Sequence, residues 1–144
     1  MKMNNHRKVL IICTGNSCRS QMAEALVNHE LGDRWQAFSA GVEPSSLNPR
    51  AVQVMKEIGI DISGQRSKSV DEFITRDDID LVITVCDHAR QTCPAFPHPV
   101  EKVHIDIQDP APYTDAPDHI ALPAFRRVRD RIREELLPYL KQRS

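Results

Sequence analysis

The chain is poor in aromatic residues and contains no long apolar run. Phe, Trp and Tyr together make up 5% of its 144 residues. No apolar stretch approaches the roughly 20 residues that a membrane-spanning helix needs. The formal net charge is −1, so we expect no electrostatic attraction to nucleic acid or to an anionic membrane surface. Neither is therefore expected among the partners.

The start of the chain is basic but lacks the apolar segment of a secretory signal peptide. The apolar stretch that follows it is only one strand long and ends in a thiol, so we expect a cytoplasmic protein. A hydrophobic fraction of 40% over this length is enough for one domain, 1–144, with a core of its own. The four cysteines are then expected to be free or transiently oxidised thiols, since such a chain needs no disulfide framework.

Apolar patterns predict strands that alternate with helices. Continuous apolar runs predict strands at 8–12, 35–40, 80–85 and 103–107, and helices are predicted to begin near residues 17, 49 and 124. This alternation predicts an α/β fold with a parallel sheet. The proline-rich stretches 87–99 and 109–123 are expected to be irregular. The last helix has an apolar stripe at Phe125, Val128, Ile132, Leu136 and Leu140, and a face expected to be solvated at Arg126, Arg127, Arg129, Arg133 and Glu134.

The junction of the first strand and first helix concentrates reactive and anion-binding groups. Cys13 follows the apolar run directly and opens the loop 13–20, CTGNSCRS. Such a loop can direct backbone N–H groups at an oxyanion, and the helix end stabilises a thiolate. Arg19 supplies a planar fork of donors, and Ser20 can donate to the thiolate. These neighbours favour a nucleophile over the alternative of an inert buried thiol.

This loop resembles the phosphate-binding loop of low-molecular-weight protein tyrosine phosphatases. The longer run 13–24, CTGNSCRSQMAE, is more similar to their relatives, the thioredoxin-coupled arsenate reductases. The resemblance continues through 39–41, 59–63, the Cys86/Cys93 pair, Asp109-Pro110 and 125–131. It implies a flavodoxin-like three-layer sandwich with a four-stranded parallel sheet. It also implies an enzyme that needs no organic cofactor or metal for electron transfer.

The resemblance implies roles for the residues of the loop. An arsenate oxyanion would bind to the loop through Thr14, Gly15, Asn16, Ser17, Cys18, Arg19 and Ser20. Cys13 would be the nucleophile, and Asp109 the general acid that protonates the departing oxygen. Cys18 has no evident task and is interpreted as structural.

The Cys86/Cys93 pair separates a reductase from a phosphatase. Paired thiols supply two electrons by forming a disulfide, which hydrolysis of a phosphoester does not require. The resemblance implies that oxidation passes from Cys13 to Cys86 and then to Cys93, where thioredoxin reduces it. Glutaredoxin with glutathione is the less favoured donor, and a monomer is expected. The alternative functions are a tyrosine phosphatase and a non-enzymatic redox switch. The alternative role for the cysteine pair is a zinc site with ligands of irregular spacing, Cys86, His88, Cys93 and His98.

Some of these reductases hold a potassium ion beside the loop through Asn, Glu, Ser and Asp side chains. Asn16, Glu24 and Ser39 match that pattern, but Lys68 stands at the aspartate position. We expect the Lys68 ammonium to take the place of the cation and to support the loop through Glu24. The alternative is that Lys68 points into solvent and that no cation is needed.

Overall fold

The computed structural model describes residues 6–143, so most of the basic start, 1–5, lies outside the described residues. Four strands form one sheet: β1 (Arg7–Cys13), β2 (Trp35–Gly41), β3 (Leu81–Thr84) and β4 (Glu101–His104). Their order is β2-β1-β3-β4, and each neighbouring pair is parallel. The predicted α/β fold with a four-stranded parallel sheet is thus confirmed.

The first strand lies inside the sheet because its residues are apolar on both faces. Val9, Leu10, Ile11 and Ile12 are completely buried, as expected for a parallel strand covered on both sides by helices. The helices are α1 (Arg19–Glu30), α2 (Pro49–Lys56), α3 (Asp87–Thr92) and α4 (Asp118–Lys141). No helix within residues 6–143 is long and apolar enough to cross a membrane.

The segment after β4 continues along β3, although the strand itself ends earlier than predicted. The sequence placed this strand at 103–107, whereas β4 spans Glu101–His104. The Ile105 N–H donates to the Thr84 carbonyl at 2.9 Å, and the Ile107 N–H donates to the Val85 carbonyl at 2.9 Å. This continuation carries the chain to the carboxyl edge of the sheet, where ligands of open α/β folds bind.

The irregular structure predicted for 87–99 is wrong over its first half, which forms α3. Cys86 caps this helix, since its Sγ accepts the Ala89 N–H at 3.4 Å. Ala89 is completely buried, and the first proline comes only at position 94. Short local bonds and one buried contact therefore outweigh the effect of the prolines that follow.

The last helix begins six residues earlier than predicted, at Asp118 instead of residue 124. Both Ala121 and Ala124 are buried, so tertiary packing favours the helix even though Pro123 lies inside it. The apolar stripe of this helix is confirmed, because its five predicted members, Phe125, Val128, Ile132, Leu136 and Leu140, are all buried.

Arg129 is an exception to the solvated face predicted for α4. Its side chain is buried where α4 meets α2. It donates to the Val54 carbonyl at 2.8 Å and to Glu57 Oε1 at 2.9 Å. The hydrogen bonds offset the cost of burying its charge. Arg129 therefore joins two helices instead of facing solvent.

Candidate active site

The loop 13–20 connects β1 to α1 and is held from outside by its carbonyl groups. The carbonyls of Cys13, Thr14, Gly15 and Ser17 accept the backbone N–H groups of Val42, Glu43, Ser45 and Asn48 at 3.2, 2.8, 3.0 and 2.8 Å. All four donors lie in the connection from β2 to α2. Because these carbonyls bond to the β2–α2 connection, backbone N–H groups of the loop other than that of Asn16 can serve an anion.

Gly41, at the end of β2, lets the two connections approach each other. A Cβ atom on this residue would lie 2.6 Å from the Thr14 oxygen and 2.9 Å from the Asn16 nitrogen. Both neighbours are backbone atoms, so they cannot move aside as a flexible side chain would. The shape of the loop therefore depends on the absence of a side chain at position 41.

The Cys13 thiol lies at the centre of a directed hydrogen-bond network. Its Sγ is 2.9 Å from Ser20 Oγ and accepts the Asn16 N–H at 3.2 Å. Asn16 Nδ2 donates to Ser20 Oγ at 2.7 Å. Since the Ser20 oxygen accepts from Asn16, its own proton is available for Cys13. This network stabilises negative charge on sulfur.

Asn16 occupies the left-handed region, with φ of 50°, a conformation that asparagine tolerates better than most residues. Gln21 fixes it there: Gln21 Nε2 donates to the Asn16 backbone oxygen and to Asn16 Oδ1, both at 3.0 Å, and to the Arg66 carbonyl at 2.7 Å. Ser67 Oγ donates to the Gly15 carbonyl at 2.7 Å. Sequence reasoning missed Gln21 and Ser67. For Gln21, the available signal was a polar residue on the apolar side of α1.

Arg19 is buried beside the loop with one donor unused. Its Nη1 donates to the Ile107 carbonyl at 3.2 Å, and its Nη2 lies 3.6 Å from Asp109 Oδ2. Its Nε is buried and has no hydrogen-bond partner among the described residues. A buried donor without a partner is costly unless a ligand satisfies it. The guanidinium is therefore suited to an oxyanion held above the loop.

Asp109 lies beside both Arg19 and the Cys18 thiol. The Asp109 side chain is 45% exposed, so it is accessible from solvent. Cys18 Sγ is 4.0 Å from Asp109 Oδ1, and burial, followed by the nearby Asp109 charge, raises the pKa of Cys18 to about 12. Cys18 therefore stays protonated at neutral pH and differs from a nucleophilic thiol.

Cys86 reaches the same edge of the sheet as the loop. Its buried Sγ lies 3.2 Å from Thr14 Oγ1, next in the chain to Cys13. Cys93 lies at the other end of α3, half-buried, and burial raises the pKa of its thiol. The six residues of α3 lie between them, and seven steps of about 1.5 Å along the helix separate the two Cα atoms by about 10 Å. The structure thus brings Cys86 to the loop and keeps Cys93 away from it.

Lys68 lies against Glu24, as required by the charge-replacement hypothesis, in which the Lys68 ammonium takes the place of a bound cation. Its Nζ is 3.6 Å from Glu24 Oε1, and its side chain is only 13% exposed. Ser39 Oγ donates to Glu24 Oε1 at 2.5 Å, and the Lys68 backbone N–H donates to Asn16 Oδ1 at 2.8 Å. All four residues of the candidate cation site are therefore adjacent. Whether the ammonium supports the loop stays a prediction.

The alternative zinc ligands do not meet in the described part of the chain. His88 Nε2 lies 2.6 Å from Glu43 Oε2, and His98 Nε2 lies 2.5 Å from the Arg76 carbonyl oxygen. Within residues 6–143, the ligand atoms that lie within 4.8 Å of one another belong instead to Asp87, His104 and Asp106. Two of these three are exposed carboxylates, which commonly lie together without an ion.

A parallel α/β sheet with a cysteine-containing anion loop between β1 and α1 defines a thiol-dependent class of oxyanion enzymes. The family described as low molecular weight phosphotyrosine protein phosphatase matches residues 8–143, and the chain belongs to this family. The family resemblance and the fold expected from it are confirmed.

Known relatives narrow the comparison further. An arsenate reductase of Halalkalibacterium halodurans is 48% identical over 128 residues, which cover 89% of this chain and 91% of that protein. The solved structure of an arsenate reductase in the oxidized state has a TM-score of 0.77 at 31% identity and covers 96% of this chain and 99% of that one. A thioredoxin-dependent arsenate reductase of Corynebacterium glutamicum has a TM-score of 0.66 at 26% identity and covers 96% of this chain and 64% of that one.

Proposed function

We propose that this chain reduces arsenate to arsenite by a cascade through Cys13, Cys86 and Cys93, with thioredoxin as electron donor. The observation that carries the proposal is a second buried thiol at the oxyanion loop, with Cys86 Sγ 3.2 Å from Thr14 Oγ1. A hydrolase needs only the first thiol. The similarity to arsenate reductases, one of them thioredoxin-dependent, supports the same reaction.

The first step joins arsenic to Cys13. Arsenate binds to the N–H groups of the loop and to the guanidinium of Arg19, including its unpartnered Nε. The Cys13 thiolate attacks arsenic, an S–As bond forms, and one As–O bond breaks. Asp109 gives its proton to the departing oxygen, which leaves as water. Arsenic is still in its +5 state after this step.

The second step transfers two electrons to arsenic. The Cys86 thiolate attacks Cys13 Sγ, and the electron pair of the S–As bond passes to arsenic, which leaves as arsenite in its +3 state. A Cys13–Cys86 disulfide remains. Cys93 then attacks Cys86 Sγ, so Cys13 is released as a thiolate and the disulfide moves to Cys86–Cys93. In total, two thiols become one disulfide for each arsenate reduced.

The last exchange requires α3 to unwind. Disulfide-bonded cysteines have Cα atoms about 4.4–6.8 Å apart, which is shorter than the length of an intact helix between Cys86 and Cys93. With only six residues, α3 is far too short to be stable without tertiary contacts. Unwinding would expose the new disulfide to thioredoxin. Glutaredoxin with glutathione is the alternative donor. Because either donor requires a reducing compartment, we place the chain in the cytoplasm. We also propose that it acts as a monomer.

A coupled assay tests the cascade. We expect NADPH oxidation in the presence of arsenate, thioredoxin and thioredoxin reductase, and intact-mass analysis should find a Cys86–Cys93 disulfide. Cys93→Ser should release about one equivalent of arsenite and then stop, because the Cys13–Cys86 disulfide cannot move on. Hydrolysis of p-nitrophenyl phosphate, which needs only the loop and Asp109, serves as the control and should be unchanged by this substitution.

The competing functions give different results in the same assay. A tyrosine phosphatase would hydrolyse phosphotyrosine peptides in the Cys86→Ser and Cys93→Ser variants and would consume no NADPH with arsenate. A redox switch would form the disulfide without any arsenate-dependent turnover. Sustained arsenate reduction by Cys93→Ser would refute the cascade itself.

A further inference from the structure

The segment that carries Asp109 has little apolar packing of its own. In the stretch 109–118 only Pro110 is buried, and the rest is half-buried or exposed. Before α4 begins at Asp118, its regular structure is one short 3₁₀ turn, Ala111–Tyr113. The position of Asp109 therefore depends on polar contacts.

A continuous path of hydrogen bonds joins the oxyanion loop to Asp109. The Asn48 N–H donates to the Ser17 carbonyl of the loop at 2.8 Å, and Asn48 Nδ2 donates to Thr114 Oγ1 at 2.9 Å. Thr114 Oγ1 then donates to the Ala111 carbonyl at 2.7 Å, and the Ala111 N–H donates to Asp109 Oδ1 at 3.0 Å. The path thus runs unbroken from the loop to the Asp109 carboxylate, and the Ala111 carbonyl within it also accepts the Thr114 backbone N–H at 3.0 Å.

Arg50 holds the far end of the same segment. Its side chain is only 14% exposed and makes three hydrogen bonds to this segment. Nε donates to the Thr114 carbonyl at 3.1 Å, Nη2 to the Ala116 carbonyl at 2.9 Å, and Nη1 to Asp118 Oδ1 at 2.6 Å. Asn48 and Arg50 are linked as well, because Asn48 Oδ1 caps α2 by accepting the Arg50 N–H at 2.8 Å. The N-terminal end of α2 therefore forms hydrogen bonds both to the loop 13–20 and to the segment that carries Asp109.

We infer that Asn48, Arg50 and Thr114 are positioning residues that set the reach of Asp109 over the oxyanion loop. This inference rests on the proposed function, in which Asp109 protonates the departing oxygen. Proton transfer depends on donor geometry within a few tenths of an ångström. Because the segment has little apolar packing, the hydrogen bonds of these three residues are needed to hold Asp109 in place. None of the three residues contacts the Cys13 thiol in the structure, and their effect passes through Asp109.

The test compares the isosteric substitution Thr114→Val with Thr114→Ser. Thr114→Val removes both hydroxyl hydrogen bonds while preserving shape, and Thr114→Ser keeps the hydroxyl. We expect Thr114→Val to lower kcat/KM for arsenate about tenfold, because a misplaced general acid loses part of its contribution. The inhibition constant of phosphate should stay within twofold of wild type, since the anion loop is intact. Thr114→Ser should restore kcat/KM, and Arg50→Gln should repeat the loss.

Leaving-group dependence separates positioning from a structural effect. Phenyl phosphate needs a proton donor much more than p-nitrophenyl phosphate does, so Thr114→Val should raise the ratio of the p-nitrophenyl to the phenyl rate severalfold. The ratio is independent of how much protein is folded. An unchanged ratio in Thr114→Val, with or without a change in kcat/KM, would overturn the positioning role and leave the proposed function intact. Absence of arsenate turnover in the wild-type chain would instead overturn the proposed function.

Discussion

The loop 13–20 and the segment 86–93 carry the proposed chemistry in structurally opposite ways. The loop is held by backbone bonds from the β2–α2 connection and is largely buried. The segment 86–93 is a short helix whose surface is mostly exposed, and side-chain pairs such as His88–Glu43 and Arg90–Asp87 hold it. Ion pairs at the surface contribute little to stability.

This difference matches two different chemical demands. Binding an oxyanion benefits from donors that are already in place, because no reorganisation is then required during the reaction. Passing a disulfide along the chain needs a segment that changes shape at low cost. A rigid loop and a weak helix at the same sheet edge therefore meet both demands, and substitutions in each region should affect different steps.

The largest effect is expected from Gly41→Ala. The added Cβ would lie 2.6 Å from the Thr14 oxygen, and parallel pairing with β1 holds Gly41 in place. We expect a loss of about 1–3 kcal/mol in the free energy of unfolding, typical of overpacking, and a large loss of phosphate affinity measured by calorimetry. Gly64→Ala, whose Cβ meets nothing within 4 Å, is the matched control. Wild-type phosphate affinity in Gly41→Ala would show that the loop is not rigid.

The next effect concerns the candidate cation site beside the loop. The wild-type chain should reduce arsenate equally well in potassium and sodium, because the Lys68 ammonium already lies 3.6 Å from Glu24. Lys68→Asp should make kcat/KM depend on potassium by about tenfold, since carboxylate and amide oxygens bind hard cations. Lys68→Met is the control and should not gain this dependence. Strong potassium activation of the wild-type chain would contradict the charge-replacement hypothesis.

Thiol ionisation gives a third contrast between the two regions. Burial and Asp109 raise the pKa of Cys18 from 9.0 to about 12. A folded-state pKa above the unfolded value gives stability that is complete below pH 9 and is lost as pH rises toward 12. Between these values it is lost at about 1.4 kcal/mol per pH unit.

Urea unfolding at pH 8 and pH 10.5 measures this loss. Cys18→Ala should lose less stability between the two pH values than the wild-type chain does. Cys93→Ala should resemble the wild type more closely, because the half-buried Cys93 is less desolvated. Equal pH dependence in wild type and Cys18→Ala would contradict the assignment.

The smallest effect is expected from loosening α3 at an exposed position. Gln91→Gly should speed conversion of the Cys13–Cys86 disulfide into Cys86–Cys93 about fourfold relative to Gln91→Ala, because glycine weakens a helix by ~0.8–1 kcal/mol. Rapid quenching with an alkylating agent and mass analysis would follow the exchange. A slower exchange in Gln91→Gly would indicate that α3 reacts without unwinding.

Much of the fold and part of the site could be predicted from local sequence. The helix predicted to begin near residue 49 is α2, which begins at Pro49, and Asn48 Oδ1 caps it by accepting the Arg50 N–H. Local sequence does not say which valine of α2 is buried, and the structure buries Val54 completely and Val52 only in part. The choice between them depends on where α4 packs, and no local pattern contains that information.

The sequence by itself determined the buried strand, the loop with its thiol and arginine, and the resemblance to a family, because these depend on residues that are neighbours in the chain. Tertiary structure alone decided that the β2–α2 connection holds the loop, that Gln21 fixes Asn16, and that Asn48 reaches Thr114. Such contacts join residues whose separation in sequence places no constraint on their distance in space. They form only when the sheet and its helices pack together, so the packed core determines the geometry of the site.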